Sequence, residues 1–222
     1  MNRVKVISLE RSKQRREAFK ANNAGLSFDF IDAFDGQQLG YECLSNRNLF
    51  DLGLSYTKGA YGCALSHLSL WDKAISDHTV ITIAEDDAIF RMDFNEKSQQ
   101  VLESLPTGWD IILWGWNFDS ILSVDVMPGV SPSVIFCNQE SLRDGIDAFK
   151  VMGSSVKAMK LDKCFGTVAY SISPGGARKF KDSCFPLTEF KEFFPGINRW
   201  IRNNGIDIAM NRIYGSVGAF VC

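Results

Sequence analysis

Three consecutive carboxylates, Glu85-Asp86-Asp87, follow directly on the β-branched run Thr79-Val80-Ile81-Thr82-Ile83-Ala84. A short apolar run of this kind reads as a buried strand. In open α/β sheets, ligands bind at the carboxyl ends of strands. Carboxylates this close repel one another, and a bound divalent cation removes part of that repulsion. Mn²⁺ and Mg²⁺ prefer carboxylate oxygens and keep positions open for substrate phosphates. Such an ion can carry negative charge that develops on a departing diphosphate. On an extended segment Glu85 and Asp87 point one way and Asp86 the other. Glu85 and Asp87 are therefore the expected metal pair, with Asp86 free to contact a ribose or sugar hydroxyl. A solvated strand end before a turn would show the same composition.

Other residues are candidates for the same chemistry. Arg11, Arg15 and Arg16 follow the first predicted strand. On a helix, Arg11 and Arg15 lie one turn apart and can grip a diphosphate or nucleotide; a solvated basic face is the alternative. Asp32 and Asp35-Gly36 close the second strand, where a carboxylate can accept bonds from a nucleoside or simply make a turn. The stretch Gly59-Ala60-Tyr61-Gly62-Cys63-Ala64-Leu65-Ser66-His67 puts small residues and a polar pair on one helix. Gly59 and Gly62 allow close approach to a ligand. Ser66 and His67 fall at the edge of the apolar stripe, where a histidine serves either catalysis or structure. Asp207 is an isolated acid in an apolar surround, the setting in which a pKa is tuned. It is a candidate general base or a further metal ligand, with Asn211 nearby; a helix N-cap is the plainer reading. The sequence has no GxSxG, HExxH or P-loop, and no GxGxxG after the first strand. Their absence removes the commonest hydrolase, zinc protease, NTPase and dinucleotide-binding readings.

These residues need elements to hold them. Val4–Leu9 alternates and is β-branched, which predicts a strand. Ser12 can cap a helix over Lys13–Asn23 that Gly25 closes. Phe28–Phe34 reads as a second strand, and residues 37–57 as loops and short helices. Tyr61, Ala64, Leu65, Leu68, Trp71, Ala74 and Ile75 recur at helical spacing. A helix is expected over Asn95–Leu105 and a buried strand over Trp109–Trp114. Residues 117–163 show only weak strand patterns. Val168–Ser173 reads as a strand, with Ser173 capping a helix that Pro174 opens and that runs to about Asp182. A short helix is expected over Ile197–Asn203. Phe185–Phe194 and Trp114-Gly115-Trp116 offer aromatic rings for stacking on sugars or for the core. Strands alternating with helices predict an α/β fold with a mostly parallel central sheet flanked by helices.

The composition sets outer limits. The 222 residues carry a formal net charge of −2 and are 45% hydrophobic. That length suits one domain with a full core. The near-neutral charge speaks against nucleic acid as a partner, since that affinity comes mainly from neutralising phosphates. The six cysteines form no CxxC pair and lie mostly in apolar company, so reduced core thiols are expected. No secretory leader and no spanning apolar stretch is visible, which predicts a cytoplasmic protein with at most peripheral membrane contact. The apolar run Gly218–Cys222 reads like the middle of a strand, so further sequence is expected after it.

Taken in order, several blocks resemble glycosyltransferase family 25. They are Val6–Arg11 with Arg15-Arg16-Glu17, Phe30–Gly36, Gly59–His67, Ile83–Ala88, and Gly166–Ser173 with Gly176-Ala177. The family comprises bacterial lipopolysaccharide or lipooligosaccharide transferases and is similar to the collagen galactosyltransferases. The resemblance covers most of the chain, least so residues 117–163. It implies a GT-A-like fold and inverting transfer of a hexose, often galactose, from a UDP-sugar donor to a lipooligosaccharide acceptor sugar at the inner face of the inner membrane. Glu85-Asp86-Asp87 would stand in for the family's DxD-like metal motif, with a Glu in first place. Ser8, Leu9, Arg11, Arg16, Asp32, Gly59, Gly62, Ser66 and Asp86 would line the donor pocket. His67 would reach the donor phosphates or brace the triplet. Asp207 would match the acid that the family carries near the end of its domain.

Overall fold

The computed structural model describes residues 3–117, 120–127, 131–136, 138–153 and 157–222. The first half of the described chain contains β1 (Val4–Ser8), α1 (Lys13–Asn22), β2 (Phe28–Asp32), α2 (Tyr41–Leu44), α3 (Lys58–Ser76), β3 (Ile81–Glu85), α4 (Phe94–Ser104) and β4 (Ile111–Gly115). The second half contains β5 (Ile121–Met127), β6 (Ser131–Phe136), α5 (Gln139–Asp144), α6 (Ile146–Val151), β7 (Met159–Cys164), β8 (Ala169–Ile172), α7 (Pro174–Cys184), β9 (Lys191–Phe194), β10 (Arg199–Arg202), α8 (Ile206–Asn211) and β11 (Ala219–Val221). Among the described residues, nine strands form one sheet in the order β2-β1-β3-β8-β4-β11-β7-β5-β6. β2, β1 and β3 run parallel, as do β4 and β11, and the other pairings are antiparallel. This is the expected α/β layering, consistent with a GT-A-like fold.

Strand alternation sorts the core into two layers. Ile7, Ile81 and Ile83 pack with Leu68 and Trp71 of α3, while Val4, Val6 and Ala84 pack with Phe19 of α1. Successive strand side chains point to opposite faces. Glu85 thus continues the α3-facing row of Ile81 and Ile83, and Ser8 continues the α1-facing row of Val4 and Val6. That parity decides which helix each polar residue at a strand end will meet.

Ser173 accepts a hydrogen bond from Gly176 N at 2.9 Å, so the cap read from the sequence of α7 is present. Ser12 precedes α1 but its side chain makes no capping bond. The helix expected over Ile197–Asn203 is replaced by a short 3₁₀ turn and by β10, which pairs antiparallel with β9. β-branched Ile201 and aromatic Trp200 suit a strand once a partner strand is supplied. The illegible stretch after residue 117 holds β5, β6 and β7, which continue the sheet antiparallel. Phe194 is buried and stacks on Phe165, and Trp114 packs edge-on to Phe94, so both rings serve the core. Cys43, Cys63, Cys164, Cys184 and Cys222 are free thiols, and Cys137 lies outside the described residues. Among the described residues, no helix is long and apolar enough to cross a membrane.

The loop after β2 lies directly on the first turns of α3. A Cβ on Gly62 would stand 2.3 Å from Phe34 O, and one on Gly36 would stand 1.7 Å from Lys58 O. Gly62 is therefore committed to backbone packing, and the ligand approach expected of it is not where it faces. Gly62→Ala should destabilise the protein by about 1–3 kcal/mol through overpacking. A urea unfolding midpoint equal to wild type would contradict this contact.

Candidate active site

A cleft of about 230 Å³ opens at the carboxyl ends of β1 and β3. Ser8, Leu9, Arg11 and Arg15 line one side, Asp35 and Gly59 another, and Cys63, Ser66, His67, Glu85 and Asp86 its floor. A larger hollow of about 860 Å³, between α4 and Phe220, is lined by two lysines and no carboxylate. The smaller cleft holds the chemistry, so its residues and not its size identify it.

The triplet divides between the two helices. Glu85 ends β3 and faces α3, where its Oε1 accepts from Thr167 Oγ1 at 2.6 Å and lies 3.7 Å from His67 Nε2. Burial works against the charged carboxylate, but His67, Thr167 and Arg15 outweigh it and hold the Glu85 pKa below its ordinary value. Asp86 faces α1 and is buried; its Oδ2 accepts from Ser8 Oγ at 2.7 Å, and its Oδ1 pairs with Arg15. Asp87 is exposed and takes a second bond from Arg15 at 3.1 Å. Strand structure stops at Glu85, and Asp86-Asp87 form a turn. Alternation therefore separates Glu85 from Asp86 but does not carry on to Asp87, which shares Arg15 with Asp86. Partial burial of its carboxylate, and then the Glu85 charge, raise the Asp87 pKa above its ordinary value.

His67 is fully buried behind Glu85. Its Nδ1 stands 2.9 Å from Tyr170 Oη, which accepts from Trp71 Nε1 at 2.8 Å. Its Nε2 lies 3.5 Å from Thr167 Oγ1. Burial disfavours the charged imidazole, yet Tyr170, Cys63 and Glu85 hold the His67 pKa above its ordinary value. This placement suits bracing the triplet. Tyr170→Phe would orphan the Trp71 N–H and a His67 ring nitrogen in the core. Each such loss costs about 1–3 kcal/mol. An unchanged guanidinium midpoint for this variant would show that the chain of bonds carries no stability.

Asp207 lies in the first turn of α8, behind the N-cap Gly205, so the plain N-cap reading does not hold. Its Oδ2 accepts from Gly166 N at 3.0 Å. Burial and then the Glu85 charge raise its pKa, against the pull of the Gly166 and Ile208 N–H groups. Adjacent residues thus hold both acids: the Gly166 backbone holds Asp207 and the Thr167 hydroxyl holds Glu85. Asn211 does lie beside Asp207, donating to its backbone carbonyl at 2.9 Å, and it also brackets Cys164 with bonds of 3.0 and 2.6 Å.

The remaining predicted residues sort plainly. Arg11 lies in the turn before α1 and forms a two-bond pair with Asp35 at 2.8 and 3.2 Å. Asp35 and Arg11 shift each other's pKa, lowering the acid and raising the base, mainly through this hydrogen bond. Ser66 donates to Gly62 O and accepts from Phe34 N, so its hydroxyl is spent on the loop. Arg16 binds Ser8 O at 2.8 Å and Asp32 at 2.6 Å, tying the ends of β1 and β2 together. Neither Arg16 nor Asp32 lines the cleft. Arg15, a candidate diphosphate grip with Arg11, reaches the triplet, whereas Arg16, expected in the donor pocket, does not. Thr167 and Tyr170 carry no functional signal in the sequence beyond their place in the stretch Gly166–Ser173.

The Glu85 charge raises the pKa of both Asp87 and Asp207, after burial in each case, but the three carboxylates do not converge as a cluster among the described residues. Carboxylate oxygens of the kind Glu85 and Asp87 carry are the ligands a hard divalent cation prefers.

Residues 1–191 match the family described as glycosyltransferase family 25 (LPS biosynthesis protein). Asp207 lies beyond that stretch. A Rattus norvegicus protein named probable inactive glycosyltransferase 25 family member 3 is 28% identical over 206 residues, which is 84% of this chain and 32% of its own length. An Aedes aegypti glycosyltransferase 25 family member is 31% identical over 133 residues, 52% of this chain and 21% of its own. Procollagen galactosyltransferase 1-A of Xenopus laevis is 32% identical over 127 residues, 50% of this chain and 21% of its own. The chain thus spans a third or less of the length of these relatives. With its family match running through both arginine-bearing and acid-bearing walls of the cleft, this chain belongs to glycosyltransferase family 25.

Proposed function

We propose that the chain is an inverting, metal-dependent glycosyltransferase that moves a hexose, with galactose the first choice, from a UDP-sugar to a lipooligosaccharide acceptor sugar. One observation supports this most: Arg11 and Arg15 border the same cleft as Glu85 and Asp86, at the strand end where Arg15 pairs with Asp86 and Asp87, so cationic and anionic groups suited to a diphosphate and a cation meet there. Galactose rests on what the Xenopus relative is named for, and the acceptor on the family's description.

In this reading the acceptor oxygen attacks the anomeric carbon as the bond to the UDP oxygen breaks. The hydroxyl proton passes to Asp207, whose raised pKa makes it a stronger base than an ordinary carboxylate. Arg11 and Arg15 face the diphosphate, and Ser8, Leu9 and Gly59 border the nucleoside. Thr167 and His67 hold Glu85 in place. A Mn²⁺ or Mg²⁺ ion held by Glu85 and Asp87 would neutralise charge on the leaving diphosphate. The protein would work in the cytoplasm, touching the inner membrane peripherally to reach a lipid-linked acceptor.

Thermal unfolding with UDP and Mn²⁺ tests the donor site. Ligand at about 100 times Kd should add about 2.7 kcal/mol of stability. A folded protein with no metal-dependent rise would overturn the proposal. A second reading, a non-catalytic binding protein, is favoured by the printed name of the rat relative. It requires UDP-sugar binding, if any, without transfer to any glycoside, and a tolerated Asp87→Ala. Sugar released without acceptor would instead indicate a nucleotide-sugar hydrolase.

A further inference from the structure

The floor of the cleft contains a second donor set of different chemistry. Cys63 and His67 lie four residues apart on α3, one above the other on the same helix face. The Cys63 thiol, a His67 ring nitrogen and a Glu85 carboxylate oxygen all lie within 4.8 Å of one another. Cys63 and Glu85 are half-buried and border the cleft, while His67 is fully buried behind them. Among the described residues this is the one cluster of histidine, cysteine and carboxylate that converges in this way.

We propose that Cys63, His67 and Glu85 form a three-ligand site for a thiophilic divalent ion, Zn²⁺ above all, which overlaps at Glu85 with the proposed hard-cation pair Glu85 and Asp87. Sulfur, imidazole and carboxylate together are a zinc ligand set, and Mg²⁺ and Mn²⁺ do not favour the thiolate. The spacing is compatible with tetrahedral coordination after a small contraction. His67 Nε2 already lies 3.7 Å from Glu85 Oε1, and bonds of about 2.0–2.3 Å would draw the three atoms together. Three protein ligands at the floor of an open cleft leave the fourth position to water or a ligand oxygen. The surrounding shell is in place. Tyr170 Oη meets the other ring nitrogen at 2.9 Å and can fix it as the protonated one, leaving Nε2 bare. Thr167 donates to Glu85 and orients that carboxylate. Binding releases to solvent the Cys63 thiol proton and any proton carried on His67 Nε2.

Because Glu85 belongs to both sets, an ion held by Cys63 and His67 withdraws it from Asp87. Zn²⁺ then competes with the activating cation, a consequence that rests on the proposed transferase function. The binding itself does not.

The test uses the ligand-free protein, Zn²⁺ in equilibrium dialysis and Co²⁺ as an absorbing probe. Wild type is expected to bind one equivalent and to show a near-ultraviolet thiolate-to-cobalt band with tetrahedral visible bands. Cys63→Ser, checked for folding by circular dichroism, is expected to lose the band. Tyr170→Phe should weaken Zn²⁺ binding about 10–100-fold, as loss of a partner to a metal-bound histidine does, and Cys63→Ser at least as much. Cys43→Ser and Asp87→Asn should keep the band, the first because Cys43 is not among the converging ligand atoms and the second because Asp87 belongs only to the other pair. No thiolate band in wild type, or a band that survives Cys63→Ser, overturns the proposal. Zn²⁺ binding without any UDP-dependent stabilisation would uphold this site while the transferase reading fails.

Discussion

Asp207→Asn is expected to lower sugar transfer by about 10²–10⁴-fold, the span that general base catalysis contributes. The substitution keeps the shape of the side chain and an oxygen to accept the Gly166 N–H. It removes only the capacity to take a proton. Asp207 is suited to that task because burial and the Glu85 charge raise its pKa. A base works best when its pKa approaches the working pH. The loss should fall on kcat, with UDP and Mn²⁺ still stabilising the fold. Loss of the metal-dependent stabilisation instead would reassign Asp207 as a cation ligand. Transfer at the wild-type rate would remove it from the mechanism altogether.

Glu85→Gln is expected to have the second large effect, a fall in transfer of about 10²–10³-fold, the cost of losing one oriented stabiliser of developing charge. The amide can still accept from Thr167, so the local geometry is kept while one negative charge is lost. Two further changes should accompany it. Stabilisation by UDP with Mn²⁺ should disappear, since Glu85 is one of the two proposed ligands. The Asp87 and Asp207 pKa values should both fall, because the Glu85 charge raises each. Titration of the side-chain carboxyl carbons by NMR reads the second change without any activity assay. Unaltered Asp207 titration in Glu85→Gln would show that the two acids do not interact.

Much of the site was legible because strand parity is local. β-branched residues 79–84 marked β3, and alternation alone put Glu85 and Asp86 on opposite faces. Helical spacing likewise marked α3 and put Cys63 one turn before His67. The parity argument failed at Asp87 because it assumes extended backbone, and the chain turns after Glu85. The helix expected at Ile197–Asn203 failed for a related reason. A strand's partner is non-local, and β9 lies on the far side of a short 3₁₀ turn. β5, β6 and β7 were faint because strands of this sheet draw their stability from neighbours distant in sequence.

The sequence by itself determined the strand that ends in the triplet, the helix that carries Cys63 and His67, and the family's blocks in order. Each depends on residue type and spacing over a few turns of chain. Only the tertiary structure decided which arginine serves the site. Arg15 and Arg16 are adjacent in sequence and lie about 100° apart around α1. One therefore reaches Asp86 and Asp87, while the other ties β1 to Asp32. The tertiary structure also brought Thr167 to Glu85 and Gly166 to Asp207. β8 runs antiparallel beside β3, and α8 returns to the same end of the sheet. Contacts across 82 and 41 residues of chain have no local pattern to announce them.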